Sequence, residues 1–163
     1  MDISAVGAEQ PSLNARRQPE AMRRALIAKI ADWLAANFAL PSAATPPTVK
    51  LVPRNQLAAL QYHGAASILG DVDDIVALYD GSRQTIYLPE EGRGDTPIGA
   101  SILVHEMVHF LQDDARQTFE CSQARERLAY AAQERWLANS GHNLAQDFDV
   151  DAFTLLVRAS CMH

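Results

Sequence analysis

The run IGASILVHEMVHFL, residues 98–111, decides how the rest of the chain is read. Ile98, Ile102, Leu103, Val104, Met107, Val108, Phe110 and Leu111 surround the axis of any helix formed here, and a helix apolar nearly all round is a buried one. Embedded in it are His105, Glu106 and His109. At about 100° and about 1.5 Å per residue, the two imidazoles stand ~40° apart around the axis and ~6 Å apart along it. Both can therefore reach a single metal ion. Glu106 projects ~60° from His109, close enough to reach a water on that ion without binding the ion itself. Polar groups left unpaired in an apolar surround are costly, and a metal supplies the missing partner.

Composition fits one soluble domain. The chain has 163 residues, 48% of them hydrophobic and 21% charged, enough for a proper core. Its net charge is −6 and no Lys/Arg run exceeds a pair, which argues against a nucleic-acid partner. There is no membrane-spanning segment, and the first thirty residues hold no apolar signal core. The chain reads as soluble, whether made so or left so by removal of a signal. Nothing in the sequence speaks to the oligomeric state.

Cys121 and Cys161 lie in no CxxC and beside no histidine at ligand spacing, so a thiolate metal site is poorly supported. They suit either a bridge between two helices or two buried free thiols. A bridge implies an oxidising compartment, and with it an exported location in place of a cytoplasmic one.

In chain order, residues 1–17 read as a flexible N-terminal segment and 18–163 as a single domain. An amphipathic helix is expected over 20–40, with Met22, Leu26, Ile30, Trp33, Leu34 and Phe38 on its core face. Residues 41–47 form a proline-bearing connector, TVKLVP (48–53) a short strand, and residues 54–63 a short helix. DIVALYD (74–80) and QTIYLP (84–89), joined across Gly81-Ser82-Arg83, predict an antiparallel hairpin. After the loop 90–95, Thr96 and Pro97 supply an N-cap and first-turn proline for the HExxH helix. Asp113 and Asp114 close that helix against its dipole. A third long helix is expected over 118–139, ending at Ser140-Gly141, and a last one over 143–160. The fold class is α+β: a mostly helical domain with a small antiparallel sheet, the sheet and catalytic core spanning 48–139.

Strand, hairpin, HExxH helix and a following helix is the order found in zincins. The stretch from LVHEMVHFLQ (103–112) through CSQARERLAYAAQERWL (121–137) resembles gluzincin-type zinc metallopeptidases, and more narrowly a set of small uncharacterised bacterial zincin-like proteins. The resemblance covers roughly residues 74–139 and is most specific at HExxH. It implies a zincin-like fold and one Zn2+ per chain, bound by the two histidines and a glutamate of the next helix. A metzincin would need a histidine six residues after His109, where Ala115 stands. Of Glu120, Glu126 and Glu134, Glu126 shares an inward face with Phe119, Tyr130, Gln133 and Leu137. Glu134 groups instead with Gln123, Arg127 and Glu120, a solvated charge stripe. The alternative for Glu126 is an ion pair with Arg125 or Arg127.

The metal ligands expected are thus His105, His109 and Glu126. The better-known gluzincins carry an aspartate one turn beyond the ligand glutamate, but Tyr130 stands here. Support for the histidines must then come from Gln133, Tyr130, Asp147, Asp149 or Asp151. Tyr130, Tyr62 and His142 are candidates to stabilise an oxyanion. The function this implies is hydrolysis of a peptide or protein substrate by zinc-activated water, with Glu106 as the catalytic general base. The hairpin would offer a strand edge to an extended peptide. The rival readings are a zincin-like metal-binding module without turnover and a helical domain without metal.

Overall fold

A computed structural model describes residues 13–61, 77–92 and 94–162. The described chain is α+β, mostly helical with one small sheet. At its centre lies α3 (Pro97–Asp114), which buries Leu103, Val104, Met107, Val108, Phe110 and Leu111. Its start follows the sequence signal. Thr96 is extended, and its Oγ1 accepts a hydrogen bond from the Gly99 amide at 3.0 Å, a cap worth about 1 kcal/mol. The loop entering α3 crosses Leu103 at Gly94, where φ is +75° and a Cβ would meet Leu103 Cδ1 at 2.6 Å. Glycine takes this backbone conformation without strain and leaves room for Leu103.

Against α3 packs α1 (Leu13–Phe38), through Ile27, Ile30 and Leu34. This helix begins ahead of the expected residue 20 and contains Pro19, so residues 13–17 are helical; residues 1–12 of the expected flexible segment lie outside the described residues. The core face is also rotated. Met22, expected in the stripe, is 68% exposed, and Ile27 takes its place inside.

The sheet holds β1 (Thr48–Val52), β2 (Leu78–Asp80) and β3 (Thr85–Pro89) in the order β1-β3-β2. β2 and β3 form the expected antiparallel pair, with Tyr79 opposite Ile86; residues 74–76 of the predicted hairpin are outside the described residues. The sheet is nevertheless mixed and not antiparallel, because β1 joins β3 in parallel, from Thr48 opposite Thr85 to Val52 opposite Pro89. Such pairing needs a long crossover, and the stretch containing α2 (Arg54–Gln61) supplies part of it. The middle strand is buried along its whole length. Ile86 and Leu88 face the main core, while Tyr87 meets Leu57 and Ala58 of α2 on the other side.

The helices after α3 are shorter than expected. The predicted 118–139 helix opens as a 3₁₀ turn (Ser122–Arg125) and becomes regular as α4 (Glu126–Ala138), leaving Phe119 and Glu120 outside it. The predicted 143–160 helix is two helices, α5 (Leu144–Phe148) and α6 (Ala152–Ala159). Asp149 breaks them with φ +55°, and Asn143 and Asp151 cap the two starts through Gln146 and Thr154 amides. Asn and Asp side chains compete for backbone amides in this way and favour caps over helix interiors. No described helix is long and apolar enough to cross a membrane.

Cys121, ahead of the 3₁₀ turn, and Cys161, after α6, are joined by a disulfide. Of the two sequence-level alternatives, the bridge is the one observed. Closing a loop of 40 residues is worth about 3–4 kcal/mol by chain-entropy reasoning. Thiol titration of the denatured, unreduced protein should find no free thiol, and the double Cys121→Ser, Cys161→Ser protein should lose about that much stability in urea unfolding.

Candidate metal centre

α3 and α4 bring the three expected ligands together. Glu126 stands in the first turn of α4 and divides its carboxylate between the histidines. Oε2 lies 3.0 Å from His105 Nε2, and Oε1 lies 3.2 Å from His109 Nε2. One ligand atom from each residue falls within 4.8 Å of the others, so the group could hold one metal ion. The alternative ion pair of Glu126 with a neighbouring arginine is not formed. Arg127 Nε donates to the Ala159 carbonyl at 2.8 Å, and Arg125 bonds Asp113 Oδ1 at 2.9 Å.

Two glutamines decide which ring nitrogens are available. Gln112 Nε2 donates to the Arg125 carbonyl at 3.1 Å, and a carbonyl only accepts, so Gln112 Oε1 must face His109 Nδ1, 3.1 Å away. The Ser101 hydroxyl donates to the Ile98 carbonyl at 2.7 Å, so its oxygen receives Gln133 Nε2 at 3.3 Å. That turns Gln133 Oε1 to His105 Nδ1 at 3.0 Å. Each amide oxygen therefore requires a proton on Nδ1, and each neutral ring keeps a lone pair on Nε2.

Two bare ring nitrogens and a carboxylate thus converge, all of them acceptors. Such a group is repulsive unless positive charge lies between its members. In the protein alone, this demand shows at His109 and Glu126. Burial works to lower the His109 pKa, but the bond to Glu126 and the charge of Glu106 outweigh it and raise the pKa above the usual histidine value. Burial likewise works to raise the Glu126 pKa, but the His105 and His109 bonds hold that carboxyl well below the usual carboxylate range. A divalent cation meets the same demand with two charges on one centre, and the donor set fits it.

Around these three residues, Arg125 joins the two helices. Its Nη2 donates to the His109 carbonyl at 3.3 Å as well as to Asp113, while its own carbonyl orients Gln112. Asp113 has poor dipole chemistry at the end of α3 because it serves this arginine instead. The turn between β2 and β3 sits close on the same carboxylate, where a Cβ at Gly81 would meet Asp113 Oδ2 at 2.5 Å. Glu106 is half-buried and has no hydrogen bond or ion pair among the described residues.

Other expectations are sorted by the same contacts. Gln133 supports His105 as expected, and Tyr130 lies edge-on to the His105 ring at 4.7 Å while its hydroxyl accepts from Arg158 at 3.2 Å. The three aspartates serve elsewhere: Asp147 binds His142, Asp149 turns the chain, and Asp151 caps α6. That pairing ties down His142, and Tyr62 lies outside the described residues. Glu134 is exposed together with Glu120, Gln123 and Arg127, as the solvated stripe requires, and its Oε2 also accepts the Leu144 amide at 2.7 Å and fastens α5 to α4. Gln112 was the residue missed. Its signal was a long polar side chain three residues after His109 in an otherwise apolar helix.

A family profile described as a domain of unknown function (DUF6647) matches residues 19–163. No curated protein and no solved structure matches the chain.

Replacing Gln112 or Gln133 by Leu removes the acceptor that fixes each tautomer and should weaken metal binding about 10–100-fold in a competitive chelator titration. Glu134→Ala should leave that affinity unchanged and cost about 1 kcal/mol of stability through the lost bond to Leu144.

Proposed function

We propose that this chain, which belongs to the DUF6647 family, is a zincin-like zinc-dependent metallopeptidase whose zinc is held by His105, His109 and Glu126. The observation that carries this reading is the convergence of two Nε2 lone pairs and one carboxylate, with both tautomers set from behind by glutamines. Two imidazoles and a carboxylate suit zinc, and three protein ligands are the number found at catalytic zinc sites. When bound, zinc supplies a Lewis acid that makes water a nucleophile at neutral pH.

The chain's own groups divide the remaining work. Glu106, next to His105 and in no hydrogen bond or ion pair among the described residues, takes the proton from the attacking water and passes it to the leaving amine. The Tyr130 hydroxyl, held by Arg158 beside His105, donates to the carbonyl oxygen as charge develops there. β2 is an outer strand that meets α3 through the Tyr79–Phe110 ring contact, and an extended substrate pairs with its edge. The rival reading, a metal-binding module without turnover, shares the ligands but gives Glu106 no task.

Two glutamate variants test the assignment. Glu106→Gln should retain zinc and lose about two to four orders of magnitude in hydrolysis of a peptide mixture. Glu126→Ala should lose zinc and hydrolysis together. Unchanged hydrolysis by Glu106→Gln would refute the proposed base.

A further inference from the structure

A cleft of about 580 Å³ lies behind the metal helix, between α1, the chain leading into β1, and α3. Its floor is Met107, Phe110 and Leu111, on the side of α3 opposite His105 and His109. Ile27, Pro46 and Val49 form its walls. Its volume falls in the range of roughly 300–1,000 Å³ usual for small-molecule sites, and its lining has their mainly apolar character.

Two acids and two arginines line the cleft, but only one pair of them is formed. Glu20 and Arg24 bind each other at 2.8 Å and neutralise as a pair. Asp32, the other acid at the cleft, is exposed and stands nine residues beyond Arg23 on the same helix, ~13 Å along its axis. Arg23 itself has no ion pair or hydrogen bond among the described residues. It is half-buried, and its Nε is shut off from solvent without an acceptor. A guanidinium in that state beside an apolar wall is costly, and an anion carrying its own apolar body relieves both the charge and the exposed hydrocarbon.

We propose that this cleft binds an aliphatic monocarboxylate of medium chain length. The carboxylate lies against the Arg23 guanidinium, and the hydrocarbon covers Met107, Phe110 and Leu111. Charge complementarity selects this occupant. A neutral chain leaves Arg23 unpaired, and a cationic one meets a like charge. Each methylene added to the ligand should tighten binding about fourfold until the cleft is filled.

Isothermal titration of the full chain with hexanoate, octanoate and decanoate below their micelle concentrations tests the proposal. It can be run with or without zinc, so its result is independent of the peptidase reading. Affinity should rise along the series, and octanoate should bind at least tenfold more tightly than octanol or octylamine. Arg23→Ala should remove that preference for the acid, and Ala28→Trp, which fills the cleft from an exposed wall position, should abolish binding of all three acids. The proposal is overturned by no heat of binding from decanoate, by equal binding of octanoate and octylamine, or by an unchanged octanoate affinity in Arg23→Ala.

Discussion

Two imidazole nitrogens and a carboxylate, all acceptors, face one another between α3 and α4, and the surrounding structure is arranged to keep them there. Left to themselves they would turn away from each other and from the apolar surround. Several restraints prevent this. Gln112 and Gln133 hold the rings from behind, and each is itself oriented by a backbone carbonyl, directly or through Ser101. Arg125 ties the backbone at His109 to Asp113, one residue before Glu126 begins α4. The disulfide from Cys121 and the Arg127 bond to Ala159 then fasten the same turn to the end of α6. Distant segments thus converge on one short piece of chain, residues 121–127.

What the sequence made legible was local. Thr96-Pro97 marks a helix start wherever it precedes an apolar run, and HExxH defines a face by arithmetic alone. Glu126 could be chosen over Glu134 because apolar residues share its side of the helix. Glu126 is the glutamate that meets both histidines, although Phe119, counted on its face, is not helical; Glu134 is exposed as its face predicts and also accepts the Leu144 amide. The bond to Leu144 joins residues whose proximity depends on the turn at Gly141, which no helical wheel can include.

The sheet failed to be read for a similar reason. A strand names its faces but not its neighbours, and TIYLP could have been one arm of a hairpin alone. Its burial on both faces follows from β1 arriving in parallel and α2 covering Tyr87. The last helix was misread because capping by Asn143 and Asp151 overrode an apolar pattern that runs through both halves. Gln112 illustrates the remaining gap: its value lies in which end of its amide faces His109, and that is fixed by a carbonyl thirteen residues away.

α3 therefore presents two faces, His105 and His109 toward α4 and an apolar floor toward α1. The claim on which the rest depends is that the three acceptors exist to hold a metal. Elemental analysis of the purified protein, before and after chelation and reconstitution, measures this directly. The prediction is about one zinc per chain, lost to a strong chelator with a fall in melting temperature and regained on adding zinc. Less than a tenth of an equivalent, with none taken up on reconstitution, would contradict it.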